Sequence, residues 1–333
     1  MKLSILQGDV FQKLKELPED SIDLCITSPP YWGLRNYGVE GQLGAEPTME
    51  AYLENLLGWT NEVYRVLKPS GSFVLNLGDC FTGKQDRKKL TDSTKGSEAY
   101  FSDFSTPKGG IYKPKQLLSV TSFAYCKIVS ETDFVCRGEH IWAKPNVPSP
   151  IRSRLKHSHE KLFWFVKDAD KYYFDKTAWM KKIMDSTKGR YKYSQNSPDE
   201  KQQCGVARIR EPPKKEGEYA LETIEHSWRV VPVGQKATGF EMEKQKPASE
   251  HVAPFPTNLI EPYIKSLCPI GGTVLDPFLG SGTTMRVAME NKRNCVGIEL
   301  NEKYISYAKK RLNWGMGLGV EYSDSFEEVD NND

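Results

Sequence analysis

The amino-acid sequence predicts an α/β protein whose core is a doubly wound, mainly parallel sheet interrupted by one long insertion. Short apolar runs that suit buried strands alternate with longer segments that carry apolar residues at helical spacing. This alternation is lost between about residues 168 and 250 and resumes afterwards. Alternating strands and helices are typical of a parallel sheet covered by helices on both faces, and 333 residues are enough for such a core with an inserted region.

The first half of the chain opens with a β-α-β unit. Gly8-Asp9 ends the first apolar run and Ser28-Pro-Pro-Tyr31 ends the second, so turn-forming residues follow both strands. The predicted elements of this half are, in order, strand 3–6, a short helix from residue 10, strand 22–27, a helix within 49–67, strand 73–77, a helix at about 116–131, and strands near 134–143 and 161–166.

The second half repeats the alternation, which divides the chain into four parts. Its predicted elements are helix 257–267, strand 273–276, helix 281–291, strand 295–299 and helix 301–312. The parts are a first half of the core at 1–167 with a basic loop at about 80–116, an insertion at 168–250, a second half at 251–315 and an acidic tail at 316–333. We expect the tail, a polar chain terminus, to be disordered.

Composition argues against several classes of protein. No apolar run approaches the length of a membrane span and the N-terminus lacks a charged-then-apolar leader, so we expect a soluble, cytoplasmic protein. The seven cysteines form no Cys-x-x-Cys pair, which argues against a disulfide framework and a structural zinc site. His157 and His159 have no carboxylate or thiol cluster at ligand spacing, so we expect no metal.

The distribution of charge is more informative than its sum. The net charge is only +2, yet basic residues concentrate in 84–116, 137–161 and 181–215, which also carry Tyr, Trp or Phe. A surface that contacts nucleic-acid phosphates has this composition. Solvated loops have it too, so charge alone leaves both interpretations open.

A glycine-rich turn follows the predicted strand 273–276 and opens a helix. Gly280 and Gly282 remove side chains where a ligand would approach the backbone, and Ser281 and Thr283 add hydroxyls at a helix N-terminus, which favours an anionic group. The turn matches neither the Gly-x-Gly-x-x-Gly pattern of dinucleotide sites nor the Gly-Lys-Ser/Thr of triphosphate sites. It therefore suits a ligand with a small anionic group and no polyphosphate.

Two carboxylates are predicted at the same edge of the sheet. Glu299 ends the next strand, about twenty residues past the glycine turn, where an acidic residue binds ribose hydroxyls in nucleoside-binding sheets. A charge at the N-terminus of the helix that Asn301 starts is the alternative. Asp9, after the first strand, could accept a hydrogen bond from an adenine amino group.

The segment Ser28-Pro29-Pro30-Tyr31 ends another strand at this edge. The prolines hold the backbone extended and remove two donors, so the Ser28 hydroxyl and nearby carbonyls can converge as acceptors on one amine. Accepting from both N–H bonds of an exocyclic amine localises the nitrogen lone pair for attack on a methyl sulfonium. Tyr31 could stack on an extruded base. A Pro-Pro turn with an aromatic residue in the core is the simpler alternative.

Together the two motifs resemble those of the amino-group DNA methyltransferases. Residues 28–31 match motif IV, Ser/Asn/Asp-Pro-Pro-Tyr/Phe, and residues 276–283 match motif I, Asp-Pro-Phe-x-Gly-x-Gly-Thr. The catalytic motif precedes the cofactor motif, as in the β group of that family. Further matches are Val66-Leu-Lys-Pro-Ser-Gly-Ser72, Asn76-Leu-Gly-Asp79, Trp142-Ala-Lys-Pro-Asn146, His159-Glu160 and His251-x-Ala-Pro-Phe-Pro256. The resemblance covers most of the chain except about 80–115 and 168–250.

The resemblance implies a Rossmann-like methyltransferase fold, S-adenosylmethionine as cofactor, and double-stranded DNA as partner, with 168–250 as the target-recognition region. The candidate catalytic residues are Ser28, Pro29, Pro30 and Tyr31. The candidate cofactor-binding residues are Asp9, Phe255, Pro256, Thr257, Asp276, Phe278, Gly280, Ser281, Gly282, Thr283 and Glu299. The candidate DNA-binding residues are Trp32, Arg35, Lys144, Arg190, Arg208, Arg210 and Arg229.

The chain is most similar to the members that methylate cytosine N4, because Ser28 stands where adenine members more often carry Asp or Asn. Adenine N6 remains the main alternative. The sequence contains no Pro-Cys dipeptide for covalent ring-carbon methylation, which favours direct transfer to nitrogen. An inert DNA-binding protein and an RNA methyltransferase are further alternatives. The resemblance also allows a cognate restriction endonuclease as a partner.

Overall fold

A computed structural model describes most of the two predicted halves of the core. The described residues are 1–34, 41–82, 112–113, 115–144, 155, 157–176, 178, 181–182, 221–222, 255–312 and 320–326. No helix among them is long and apolar enough to cross a membrane. Most of the predicted insertion lies outside these ranges, so its boundaries stay a prediction.

Helices and strands alternate along the chain in the predicted order. The elements are β1 (Lys2–Gln7), α1 (Val10–Lys15), β2 (Ile22–Thr27), α2 (Met49–Val66), β3 (Leu67–Leu77), α3 (Val120–Glu131), β4 (Val135–Ala143), β5 (His159–Val166), β6 (Lys181–Lys182), β7 (Leu221–Glu222), α4 (Thr257–Leu267), β8 (Thr273–Asp276), α5 (Thr283–Glu290), β9 (Asn294–Glu299), α6 (Glu302–Arg311) and β10 (Glu321–Ser323).

Eight of these strands form one sheet in the order β10-β1-β9-β8-β2-β3-β5-β4. All neighbouring pairs are parallel except those of β5, which is antiparallel to both β3 and β4. The chain winds outward from β2 to β3 on one side and from β8 to β9 on the other, so β2 and β8 flank the switch point of a doubly wound sheet. The predicted fold class is confirmed.

Each face of the sheet carries its own apolar core. Helices α1, α2 and α3 cover one face, and α4, α5 and α6 cover the other. On the first face Trp59 of α2 is fully buried and makes edge-to-face contacts with Phe73 of β3, at 5.9 Å between ring centroids, and with Phe278 after β8, at 5.2 Å. These contacts join both halves of the chain, and burial of each such ring stabilises the fold by about 1.5–3 kcal/mol.

The acidic tail departs from its prediction. Residues 321–323 are not disordered but form β10, which pairs in parallel register with Lys2–Ser4 of β1. The backbone N–H of Glu321 also donates to the carbonyl of Met1. Without β10 the strand β1 would be an edge strand with unpaired backbone groups, and pairing satisfies them. Residues 316–319 and 327–333 lie outside the described ranges.

Helix α5 begins two residues later than predicted, because Gly282 adopts a left-handed backbone with φ +79° as its N-cap. A Cβ at Gly282 would lie 3.0 Å from the Cβ of Ala308 in α6. The glycine therefore serves a turn and a close contact between two helices.

Comparing two glycine substitutions separates these two roles of Gly282. Gly271 has a similar φ of +81° but nothing within 4 Å of its virtual Cβ, so Gly271→Ala should cost only backbone strain, roughly 1–2 kcal/mol. Gly282→Ala should cost about 1–3 kcal/mol more through overpacking against Ala308. Urea unfolding followed by circular dichroism measures both losses. An equal or smaller loss at position 282 would show that the contact with α6 is unimportant.

Candidate functional site

A cleft opens at the carboxyl edge of the parallel strands, beside the switch point between β2 and β8. Its lining comes from the ends of β1, β2, β8 and β9 and from the loops that follow them. The lining residues are Gly8, Asp9, Val10, Ser28, Pro30, Gly41, Gln42, Leu43, Phe255, Asp276, Pro277, Phe278, Leu279, Gly280, Ser281, Thr283, Ile298, Glu299, Leu300, Asn301 and Tyr304. The sheet thus brings the residues predicted from both motifs to one cleft.

The carboxylate of Asp276 ties the two sides of this cleft together. Asp276 ends β8, is buried, and accepts hydrogen bonds from the hydroxyl of Thr27 at 2.6 Å and from that of Thr284 at 2.5 Å. It also accepts from the backbone N–H of Phe278 at 3.1 Å. Burial raises the pKa of Asp276, since the ionised form loses its water shell. The three donors stabilise the carboxylate and join the end of β2 to the start of α5.

Glu299, at the end of β9, is at the helix N-terminus considered from the sequence, and its binding of ribose hydroxyls stays a prediction. One oxygen accepts from the N–H of Gly280 and the other from the N–H of Asn301, both at 2.8 Å, so the carboxylate supports the glycine turn and the start of α6. It also lines the cleft. Burial raises the pKa of Glu299. Because a carboxylate offers about four lone pairs, each oxygen can still accept from a ligand.

Asp9 caps helix α1. Its Oδ1 accepts from the backbone N–H groups of Phe11 at 3.0 Å and Gln12 at 3.3 Å. The residue lines the cleft next to Gly8, whose own N–H donates to the carbonyl of Glu299. The cap holds the Asp9 carboxylate at the rim, where the prediction that it accepts from an adenine amino group stays a prediction.

The predicted cofactor residues divide by position. Gly280, Ser281, Thr283, Phe278 and Phe255 line the cleft with the three carboxylates. Pro256, Thr257 and Gly282 do not: Pro256 and Thr257 begin α4, and Gly282 packs against α6. The prediction that Gly282 lets a ligand approach the backbone stays a prediction, and the structure adds that the missing side chain makes room for Ala308.

Arg311 is a neighbour of the glycine turn that the sequence did not indicate. Its Nη1 donates to the hydroxyl oxygens of Ser281 at 3.2 Å and Thr283 at 2.8 Å. The residue ends α6, thirty residues after Ser281, and only the packing of α6 against α5 brings it there. The hydroxyls predicted for a ligand are thus held by a guanidinium.

The Ser28–Tyr31 segment is held from behind by a hydrogen-bond network. Ser28 and Pro30 line the cleft, whereas Pro29 is buried. The Tyr31 hydroxyl donates to Glu160 Oε2 at 2.8 Å and lies 3.0 Å from Ser28 Oγ. Burial, and then the neighbouring Glu160 charge, raise the pKa of Tyr31, so its hydroxyl keeps its proton.

Asn76 of β3 completes this network. Its Nδ2 lies 2.8 Å from the Tyr31 hydroxyl, 3.0 Å from Glu160 Oε2 and 3.2 Å from Ser28 Oγ. Its Oδ1 is buried and has no hydrogen-bond partner in the part of the chain that the structure describes. Behind it, Gly78 leaves room for the Tyr31 ring, because a Cβ there would lie 2.6 Å from Tyr31 Cε2.

Two of the residues predicted to contact DNA are described, and both make contacts within the protein. Trp32 is buried, 6% exposed, and its indole N–H donates to the carbonyl of Glu46, and its contact with DNA stays a prediction. Lys144 forms an ion pair with Glu160 and lies 3.8 Å from the Trp142 ring centroid. The other candidates, Arg35, Arg190, Arg208, Arg210 and Arg229, lie outside the described residues.

The two histidines considered as metal ligands stack on each other instead. The rings of His157 and His159 lie 4.4 Å apart between centroids, and Phe81 meets His157 edge-on. Within the described ranges no group of three or more His, Cys, Asp or Glu residues is placed to hold a metal ion.

A family model described as DNA methylase, of the N6 and N4 type, matches residues 22–310. This range includes the Ser28–Tyr31 segment, the glycine turn and six of the eight strands of the sheet. The chain therefore belongs to the N6/N4 DNA methylase family, as the two motifs predicted.

Curated relatives match over nearly the whole chain. The Type II methyltransferase M.Cfr9I of Citrobacter freundii is 32% identical over 93% of this chain and 87% of its own length. The Type II methyltransferase M.SmaI of Serratia marcescens is 33% identical over 92% of this chain and 90% of its own length. The match thus spans most of the length of both relatives.

Solved structures show the same fold. A putative DNA modification methylase from Thermus thermophilus, solved in complex with S-adenosyl-L-methionine, matches with a TM-score of 0.55 and 21% identity over 96% of this chain and 99% of its own. PvuII DNA methyltransferase, described as cytosine-N4-specific, matches with a TM-score of 0.53 and 20% identity over 98% of each chain.

Replacing Asp276 with asparagine should change how stability depends on pH. Because the folded-state pKa of Asp276 is raised above its unfolded value, the folded protein binds this proton more tightly, and Asp276 contributes more stability as pH falls through the folded-state pKa. The asparagine side chain cannot titrate. The free energy of unfolding of the wild type relative to Asp276→Asn should therefore rise as the pH falls towards about 4, the ordinary pKa of an aspartic acid in an unfolded chain.

Urea unfolding of both proteins at a series of pH values measures this difference. A difference that stays constant, or that grows with rising pH, would contradict the assignment of a raised pKa to Asp276.

Proposed function

We propose that this protein methylates the exocyclic N4 amino group of cytosine in double-stranded DNA, with S-adenosyl-L-methionine as the methyl donor. The observation that carries the proposal is that Ser28 and Pro30 line the same cleft as Asp276, Gly280 and Glu299. An acceptor group for an amine and a nucleoside-type site thus face one another across a single opening.

The residues of the cleft fit the methyl donor. Bound there, S-adenosyl-L-methionine supplies an electrophilic methyl group. Glu299 would accept from ribose hydroxyls and Asp9 from an adenine amino group, through the acceptor positions that their backbone partners leave open. Phe255 and Phe278 would offer apolar surface to the ring system. The absence of a lysine in the glycine turn agrees with a ligand that lacks a polyphosphate.

The residues of the Ser28–Tyr31 segment suit the acceptor amine. The Ser28 hydroxyl and the carbonyls beside the prolines would accept the two N–H bonds, which localises the nitrogen lone pair towards the methyl donor. Direct transfer needs this alignment and no covalent enzyme intermediate, so rate depends on orientation. The amine must leave the duplex to reach a cleft at the sheet edge, which requires base flipping.

Cytosine N4 is preferred over adenine N6 because of the uncharged Ser28. Adenine N6 is the second candidate, since one acceptor arrangement can serve either amine. The fold of the cytosine-N4-specific PvuII enzyme agrees with the first without deciding between them.

DNA recognition is assigned to residues 168–250 with help from the basic loop at about 80–116. Arg190, Arg208, Arg210 and Arg229 supply donors there for phosphates and guanine edges. The similarity to Type II methyltransferases supports a role in restriction-modification beside a cognate endonuclease, in the cytoplasm where the DNA is.

The product distinguishes the two amines directly. DNA from cells that express the protein should contain N4-methylcytosine, and mass spectrometry of its nucleoside digest should detect this base. A matched strain that expresses Ser28→Ala should lack it, because the hydroxyl that accepts from the amine is gone. N6-methyladenine alone would overturn the choice of base, and no modified base in DNA would overturn the proposed function.

A further inference from the structure

A chain of side chains connects the cleft to Lys144 at the far end of β4. Ser28 lines the cleft, Tyr31 lies behind it, Glu160 accepts from the Tyr31 hydroxyl, and Lys144 pairs with Glu160. Glu160 is not among the cleft-lining residues, and its side chain is only 14% exposed. Any effect of Glu160 on the amine must therefore pass to Ser28 through the side chains between them, Tyr31 and Asn76.

The chemistry of the groups sets the direction of each hydrogen bond. An ionised carboxylate only accepts, so the single hydroxyl proton of Tyr31 points to Glu160 Oε2. The 3.0 Å contact between Ser28 Oγ and the Tyr31 hydroxyl then needs Ser28 as its donor. Lys144 pairs with the other carboxylate oxygen, Oε1, which leaves Oε2 to accept from Tyr31.

These hydrogen-bond directions determine whether the Ser28 hydroxyl faces the cleft as a donor or as an acceptor. With its proton committed to Tyr31, the Ser28 oxygen keeps two lone pairs. Asn76 Nδ2 has two protons for three nearby oxygens and can take at most one of these lone pairs, at 3.2 Å. At least one lone pair therefore remains to accept an N–H bond from an amine.

We infer that Glu160 is a positioning residue for methyl transfer, which acts through Tyr31 to keep the Ser28 hydroxyl an acceptor towards the target amine. The inference rests on the proposed function and deepens it. It also gives Lys144 a role in the site other than direct contact with DNA.

The isosteric change Glu160→Gln should reverse the directions of these hydrogen bonds. A glutamine amide can donate to the Tyr31 oxygen, which frees the Tyr31 proton to point at Ser28 Oγ. The Ser28 proton then turns to the cleft and opposes the amine N–H. Glu139 on β4 offers a matched control, because it also pairs with a lysine, Lys161, yet its side chain is 45% exposed.

Steady-state kinetics on cognate DNA, together with calorimetric titration of S-adenosyl-L-methionine, test the inference. Glu160→Gln should lower kcat about 10- to 100-fold, the range for losing a hydrogen bond to a charged group. The affinity for S-adenosyl-L-methionine should not change, and Glu139→Gln should behave as wild type.

The double variant with Tyr31→Phe separates positioning from a purely structural role. If Glu160 acts through the Tyr31 hydroxyl, Tyr31→Phe alone should lower kcat, and Glu160→Gln should add little in that background. Additive losses, a wild-type kcat in Glu160→Gln, or a loss of cofactor affinity in either single variant would overturn the inference and leave the proposed function standing. A wild-type protein that methylates no DNA would overturn both.

Discussion

The site depends on one buried carboxylate. The Asp276 carboxylate accepts one hydrogen bond from the hydroxyl of Thr27, 249 residues earlier in the chain, and another from that of Thr284, eight residues later. A buried charge is tolerated only when such donors satisfy it, and removal of a donor leaves a penalty of about 1–3 kcal/mol. The need to satisfy Asp276 therefore holds the end of β2, which leads into Ser28, against the helix that follows the glycine turn.

The two motifs are far apart in the sequence, and the sheet brings them together at one site. Strands β2 and β8 are neighbours in space although the insertion separates them in sequence. Their carboxyl ends meet at one edge, and the antiparallel β5 brings Glu160 to the same edge from its amino end. Glu299 on β9 supports the glycine turn from the other side. Each contact crosses between strands, so the cleft exists only in the folded sheet.

Local patterns predicted most of the fold, because apolar periodicity and turn residues act over a few positions. The bounds of β2, α4 and β8 agree with the sequence prediction. The features that the sequence did not predict depend on partners elsewhere in the chain: β10 pairs with β1, and the buried Trp32 donates a hydrogen bond to the carbonyl of Glu46. Among the site residues, a motif indicated Asp276, and the spacing from the glycine turn indicated Glu299. The roles of Asn76, Glu160 and Arg311 arise only from packing between elements.

Asp276 joins the end of β2 to the glycine turn across the cleft, and Thr27→Val tests the importance of this link most directly. Calorimetry and single-turnover methyl transfer should show that this variant loses both S-adenosyl-L-methionine affinity and rate, each by about tenfold. Thr60→Val, which removes a buried hydroxyl bonded only within α2, should lose neither, and Ser28→Ala should lose rate alone. Wild-type affinity and rate in Thr27→Val would show that the hydrogen bond between Thr27 and Asp276 is not needed by the site.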